Sequence, residues 1–562
     1  MSASGSLIDA IGGYVDKIVT DERIGGMKVL VLDDVTKRVC SMVYSQSQIL
    51  EKQVYLVEQL GAAHESMSHL KAAVFVQPTP YNIELLKREL AEPKYAEYHI
   101  FFSNIVKGDA LQSLARADEH DLIRQVHEYY GDFEAINEDL FSLAMPDSIG
   151  LSRADNAIRP ESFARTVSGV LSVLLSLKRK PSQIRYAAGS TVARQVANEV
   201  SMAIDADDVF DFRSMGRRVE GPLLLILDRK DDPVTPLLSQ WTYQAMVHEI
   251  LGLTHNRVVL KDAPGVKPEL HEVVLSPTQD QFFRDHRHAN YGDLAIAVKS
   301  LLEEFQAQRK LNEDIRSIED MQRFLDRYPA FKAQSHTVEK HMAILTELSR
   351  KMETLRLLEC SELEQMLACN NDHSLHLNML LGKLDDPLIP KGQKLRLGML
   401  YALRYQANGN LAAVKARLED AGIGHDQIAV IDALLNYAGA NRRGPAADDL
   451  FGPRGMLGRM TRSFVQGLAD VENVLTQHEP LLHTILESVA KGKIKDQSFP
   501  SMGASSGIKH NSVIVYVIGG ATYEEAKVVA NMNKAMGQTF YYLGGTTVHN
   551  SKSFLKEVAA FH

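Results

Sequence analysis

The chain has 562 residues, 45% hydrophobic and 24% charged, with a formal net charge of −9. That length exceeds what one core organises, so several domains are expected, and the composition excludes a disordered, collagenous or disulfide-scaffolded chain. The acidic balance, with no basic stripe, argues against a nucleic-acid partner, and three cysteines (Cys40, Cys360 and Cys369) fit neither a metal knuckle nor a paired framework, which implies a reducing compartment.

Met1 to Val19 lacks a basic start, and Asp9 and Asp16 interrupt its apolar residues in an amphipathic pattern. This predicts a short docking helix within an extension of residues 1–26, not a signal peptide. From Met27 the chain reads as βαβ: strands at Met27–Leu32, Val54–Val57 and Ala72–Val76, each bounded by turn residues. Thr79-Pro80 supplies a helix cap followed by proline at the first helical position, with Ile83, Leu86 and Leu90 at helical spacing behind it. Tyr98–Phe102 adds a strand, and the unit closes near Met145-Pro146, giving a domain one of residues 27–150 with a parallel sheet and crossover helices.

Residues 160–200 read as helices. Their longest apolar run, Val167–Leu177, falls short of the roughly 20 residues that span a bilayer. Gly221-Pro222 announces the strongest buried strand, Leu223–Leu227. Two further strands, Ser512–Ile518 and Thr539–Leu543, flank a helix at Tyr523–Lys534. They read as one sheet split in sequence, so domain two comprises 151–258 and 496–562, with 259–495 inserted as a largely helical domain three. Within it, Leu311, Ile315, Ile318, Met321 and Leu325 step by three and four, as do Val338, Met342, Leu345, Leu348, Met352 and Leu355. Two long helices flanking Tyr328-Pro329 predict a protruding hairpin around 300–360, with the proline at a bend or helix boundary. Asn441–Arg459 lacks periodicity and reads as a mobile loop.

The most enzyme-like constellation is Asp228, Asp231 and Asp232, just after the buried strand. Acids at the carboxyl end of a strand can hold a hard cation such as Mg²⁺, and a metal-dependent α/β enzyme is the alternative function. The same residues, with Thr235-Pro236, equally serve as turn and capping residues before a helix at Leu237–Leu251, and architecture is the expected role. No P-loop, dinucleotide fingerprint or nucleophile elbow stands at a strand-to-helix junction, so neither a cofactor nor a catalytic residue is expected. Gly519-Gly520 and Gly544-Gly545 are expected in tight turns, and His286 and His288 in a solvated polar loop without a third metal ligand.

Several stretches carry a family resemblance: Leu223–Arg229 (LLLILDR), Asp231–Leu238 (DDPVTPLL), Trp241–Met246 (WTYQAM), Ile518–Ala526 (IGGATYEEA), Gly544–Asn550 (GGTTVHN), Met42–Ser47 (MVYSQS) and Thr476–Leu481 (TQHEPL). On these, spread over nearly the whole chain from Met27, the sequence resembles the SM (Sec/Munc) family of syntaxin-binding proteins, and within it the vacuolar-sorting branch of endosomes and the trans-Golgi network. The resemblance implies a three-domain arch that binds a syntaxin-type Qa-SNARE and templates SNARE assembly, including the vesicle R-SNARE, for vesicle docking and fusion. It further implies a cytoplasmic monomer, without enzymatic activity, that meets Golgi, endosomal and vacuolar membranes only peripherally, through SNAREs.

Residue by residue, the resemblance places Arg38 and Glu58 on the syntaxin cleft of domain one. Leu111, Ile123, Val126 and Glu128 fall on the pocket for the syntaxin N-terminal peptide, where an apolar anchor and one acid suit a basic-apolar peptide. Leu111 stands where neuronal relatives carry an aromatic. Pro329 matches the hairpin proline of a SNARE-templating surface that also includes Leu325, Tyr328, Val338 and Met342. Asp228, Arg229, Asp231, Asp232, Thr235 and Pro236 form the structural signature.

Overall fold

The computed structural model describes residues 5–63, 65–145, 148–149, 159–206, 208–210, 221–313, 318–407, 410–447, 450–451, 475–503, 510–535 and 539–561. At 208, 308, 310–313 and 318–330 only the backbone is described. Ile315, Pro146, and residues 448–449 and 452–459 of the expected loop therefore lie outside the described residues.

Helix α1 (Leu7–Val19) and strand β1 (Lys28–Leu32) lead into α2 (Asp34–Val43), β2 (Val54–Gln59) and β3 (Met67–Val76). Then come α3 (Pro80–Ala91), β4 (Tyr95–Phe102), α4 (Gly108–Ala117) and β5 (Ile123–Glu128). The five strands form one sheet, ordered β2-β1-β3-β4-β5, parallel throughout. One face, with Val31, Val74, Ile100 and Phe102, is covered by Ile83 and Leu86 of α3 and Leu114 of α4. The other, with Leu30, Phe75 and Phe101, meets α1 and α2. Thr79 accepts from Asn82 N to cap α3, with Pro80 at its first position, as the sequence predicts.

Domain one ends earlier than 150. Strands β6 (Glu134–Asn137) and β7 (Leu140–Ser142) join the second sheet with β8 (Gln183–Tyr186), β9 (Leu223–Asp228), β12 (Ser501–Met502), β13 (Ser512–Ile518) and β15 (Phe540–Gly545). Its order is β12-β8-β9-β13-β15-β7-β6. The strands after Leu223 and after Ser512 thus share one sheet across the insertion, as their buried apolar runs predict. Small pairs complete the β-structure: a ribbon of β10 (Arg257–Val259) and β11 (Glu272–Val274), and β14 (Ala521–Thr522) beside β16 (Val548–His549).

The short docking helix expected near the N-terminus is α1: Leu7, Ile11, Val15 and Ile18 are buried in the core shared by both sheets, and Leu7 N donates to Glu138 O at 3.0 Å. Tertiary partners override local pattern in three places. The helix expected at Leu237–Leu251 is instead a 3₁₀ turn at Thr235–Leu237, an α-turn at Tyr243–Met246 and a π-turn at Val247–Leu251. Its amides are claimed from outside, Ser239 N by Glu364 at 2.7 Å and Tyr243 N by Ala289 O at 3.0 Å. Gly519 and Gly520 do turn, at φ +82 and +90, but Gly544-Gly545 lie inside β15, where a Cβ on Gly544 would stand 2.0 Å from the Phe141 ring. His286 and His288 are not in a solvated loop either: His286 ends a helix and stacks on Phe282 at 4.4 Å, and burial pushes His288 down to about 3.

The hairpin is present, and its proline lies within the second helix. Helices α5 (Tyr291–Glu313) and α6 (Ile318–Thr354) run antiparallel: Tyr291 hydrogen-bonds Ser349, and the Phe305 and Phe331 rings stack at 5.0 Å. Pro329 is not a helix boundary, because α6, 37 residues long, runs through it, about 55 Å in all at helical rise. No described helix is long and apolar enough to cross a membrane.

Candidate partner-binding faces and the buried signature

The signature residues form a buried knot. Arg229 donates from Nη2 to both oxygens of Glu525 at 2.6 and 2.7 Å, from Nε to Gly520 O at 3.0 Å and from Nη1 to Asp232 O at 2.9 Å. Asp228 accepts from Lys230 N at 3.1 Å and Ser190 Oγ at 2.6 Å. Asp232 accepts from Thr235 N and Oγ1 at 3.0 and 2.6 Å and from Leu481 N at 3.1 Å. Asp231 turns elsewhere, to Gly444 N at 2.7 Å. Pro236 lies within the Thr235–Leu237 turn.

Three carboxylates aimed at separate segments make joints, not a cation cage, for which ligand oxygens must converge. Among the described residues no group of three or more metal-capable side chains comes together. The cavity beside the knot, lined by the three aspartates with Leu227, Arg229 and Phe499, encloses about 20 Å³, room for one water against the roughly 300–1,000 Å³ of a ligand cleft. The described start of the expected mobile loop is docked: Gly444 sits so close to Gly189 that a Cβ on Gly189 would stand 2.5 Å from its Cα.

Domain one has an equivalent crevice at the carboxyl ends of β1 and β3, where strand order reverses and ligands of open sheets bind. Its own side chains fill it. Asp33 accepts from Val35 N, Thr36 N, Gln77 N and Asn82 Nδ2 at 2.6–2.9 Å. Asp132 accepts from Gln77, Asn104 and Arg165 at 2.6–3.1 Å.

At the outer edge, β5 carries a feature hidden from simple alternation. In IRQVHE the apolar residues stand three apart, at Ile123 and Val126, and a regular strand would turn them to opposite faces. The register slips between Tyr98 and His99: Ile123 pairs with Tyr98, whereas Val126 and Glu128 pair with Ile100 and Phe102. A bulge at Arg124 therefore returns Ile123, Val126 and Glu128 to the face covered by α4. Leu111 lies on α4 beside Ala110 and Leu114, which bury against that face. Leu111 and Val126 remain 36% and 37% exposed. Leu111, Ile123, Val126 and Glu128 thus lie on one side of the sheet, and the broken alternation is the sequence signal for it. Glu128 is already engaged: Val106 N donates to Oε1 at 2.7 Å and Tyr130 Oη to Oε2 at 3.0 Å. Val106 and Tyr130 were not expected from the sequence and carry no motif.

The two cleft residues are not brought together. Arg38 lies on α2, on the α1–α2 side of the sheet, and donates from Nε to Glu134 Oε1 at 3.2 Å, an oxygen that His255 Nδ1 approaches at 3.2 Å. Glu58 pairs in register with Val31 and so points to the opposite face.

On the hairpin, Leu325, Tyr328 and Pro329 belong to α6, and Met342 is exposed. Val338, at 4% exposure, is a core residue and not part of a partner-facing surface. A buried quartet missed by sequence reading fixes this base: Asp280 accepts from Lys340 and from His341 Nε2 at 3.0 Å, and His341 Nδ1 meets Tyr243 Oη at 2.7 Å. Burial pushes the Asp280 carboxyl up, but the His341 hydrogen bond and the His341 and Lys340 charges more than offset it and hold it well below the usual range.

The whole chain has relatives. The family model described as the Sec1 family matches residues 28–557. Vacuolar protein sorting-associated protein 45 of Dictyostelium discoideum is 42% identical over 563 residues, covering 99% of this chain and 98% of the relative. The Homo sapiens protein of that name is also 42% identical, over 561 residues, covering 99% and 96%. The solved structure of the SM protein Vps45 in complex with Qa SNARE Tlg2 (1-310) superposes with a TM-score of 0.89 at 42% identity, covering 99% of this chain and 98% of that one. The Unc18-syntaxin 1 complex from Monosiga brevicollis, at 20% identity and TM-score 0.80, shares the fold. The chain belongs to the Sec1 family of SM proteins.

Proposed function

We propose that this protein binds a syntaxin-type Qa-SNARE and guides SNARE assembly for vesicle docking and fusion in endosomal, trans-Golgi and vacuolar transport. The observation that carries the reading is full-length likeness, at 42% identity and TM-score 0.89, to a protein solved with the Qa SNARE Tlg2. The chain acts as a cytoplasmic monomer held at membranes through its SNARE partners, including the vesicle R-SNARE. The half-exposed apolar pair Leu111 and Val126, beside Ile123, receives an apolar side chain of the Qa-SNARE N-terminal peptide; such anchors hold peptides while rim charges set specificity. Arg38 contributes to the cleft for the helical part of the SNARE, with Glu58 on the reverse face of the sheet edge. The hairpin around Pro329, with Met342 exposed near its base, is the templating surface.

The test is capture of the Tlg2 cytoplasmic domain, with and without its N-terminal peptide. Binding in both forms is expected, weaker without the peptide, and Leu111→Asp should weaken only the form that carries it. Absence of binding in either form would overturn the reading.

A further inference from the structure

The acid of the proposed peptide pocket is spoken for inside the chain. Both Glu128 oxygens have a partner, Val106 N at 2.7 Å and Tyr130 Oη at 3.0 Å. Val106 directly precedes Lys107, the residue that opens α4, and Lys107 makes no side-chain cap hydrogen bond. A helix start without a cap takes its direction from whatever holds the preceding residues. Here Val106 is held twice, by its buried side chain in the core under α4 and by its amide on Glu128. The Arg124 bulge aims Glu128 at that amide, and α4 carries Leu111 one turn further on.

From this geometry we propose that Glu128 is a positioning residue: it sets the start of α4 through Val106 and so the spacing of Leu111 from Val126. The inference rests on the peptide-pocket reading above. A carboxylate that receives a main-chain N–H makes a charge-assisted bond, and its loss leaves a buried donor unpaired. A glutamine at the same place still accepts from Val106 N through its carbonyl oxygen and loses only the charge.

The experiment is titration of the full chain with a synthetic peptide of the Tlg2 N-terminus at two salt concentrations, for the wild type, Glu128→Gln, Glu128→Ala and Tyr130→Phe. Glu128→Gln should bind within about twofold of the wild type with the same salt dependence, whereas Glu128→Ala should weaken binding about tenfold and Tyr130→Phe by an intermediate factor. Hydrogen exchange at the first turn of α4 should rise in Glu128→Ala and not in Glu128→Gln. If Glu128→Gln weakens binding as much as Glu128→Ala and flattens the salt dependence, Glu128 is a charge partner of the peptide and the inference falls. If the wild type itself does not bind the peptide, the pocket reading falls first.

Discussion

Arg229 and Glu525 meet across 296 residues of sequence, the guanidinium Nη2 seated between both carboxylate oxygens with neither side chain open to solvent. This pair joins the end of β9 to the helix Tyr523–Ala535, the two halves of the split domain. Removing one partner strands a buried charge, while replacing both can be nearly neutral.

Arg229→Met should therefore destabilise the protein by about 3–5 kcal/mol, and Arg229→Met with Glu525→Leu should recover most of that loss. Urea denaturation of the single and double variants measures it. Additive losses would mean that the two side chains act independently.

Asp231 gives a pH-dependent term of opposite sign to the usual acid. Burial, then the neighbouring Asp228 charge, push it up to about 6. Its folded value lies above its ordinary one, so the charged form costs stability above about pH 6, and the cost fades as pH falls toward the ordinary carboxylate range. Asp231→Asn keeps an oxygen for Gly444 N and should be more stable than the wild type, its advantage narrowing by about 1 kcal/mol between about pH 7.5 and pH 5. Denaturation midpoints at the two pH values test this, and a constant gap would refute it.

At the hairpin base the sign reverses. Asp280 is held below the usual range, so its stabilisation is fully present above that range and is lost as pH falls below it toward the depressed folded value. Asp280→Ala leaves Lys340 a buried, unpaired charge, and a cost of about 3–5 kcal/mol is expected at neutral pH. The readout is faster hydrogen exchange in the second half of α6, while domain one keeps its protection.

Pro329 lies in the interior of α6 and offers no N–H to the carbonyl one turn earlier. Pro329→Ala should not lengthen a helix that already runs through the position. It should tighten it, by about 1–3 kcal/mol locally, seen as slower exchange around the site. The SNARE assembly rate of this variant then reports whether the weakened turn takes part in templating; unchanged exchange would remove the premise.

Much of the architecture was legible in the chain. Buried runs such as Leu223–Leu227 and Ser512–Ile518 admit few fates besides central strands, and Thr79-Pro80 starts a helix by local chemistry alone. The grouping of Leu111, Ile123, Val126 and Glu128 came from the family resemblance; the strand that carries three of them was hidden, because a bulge breaks the alternation by which strands are recognised. Val338 was misplaced because a periodic apolar stripe looks the same whether it faces a partner or its own domain.

Sequence by itself determined the central apolar strands, the helix start at Thr79-Pro80 and the family, because each rests on residues near one another in the chain or on motifs read directly. Only the tertiary structure decided where long-range partners fall: that β6 and β7 leave domain one, that the Leu237–Leu251 stretch gives up a regular helix to amide partners from elsewhere, and that Glu128 answers to Val106. Those outcomes turn on hydrogen bonds and buried charges whose partners lie far off in sequence, and a buried polar group must find its partner wherever the fold supplies one.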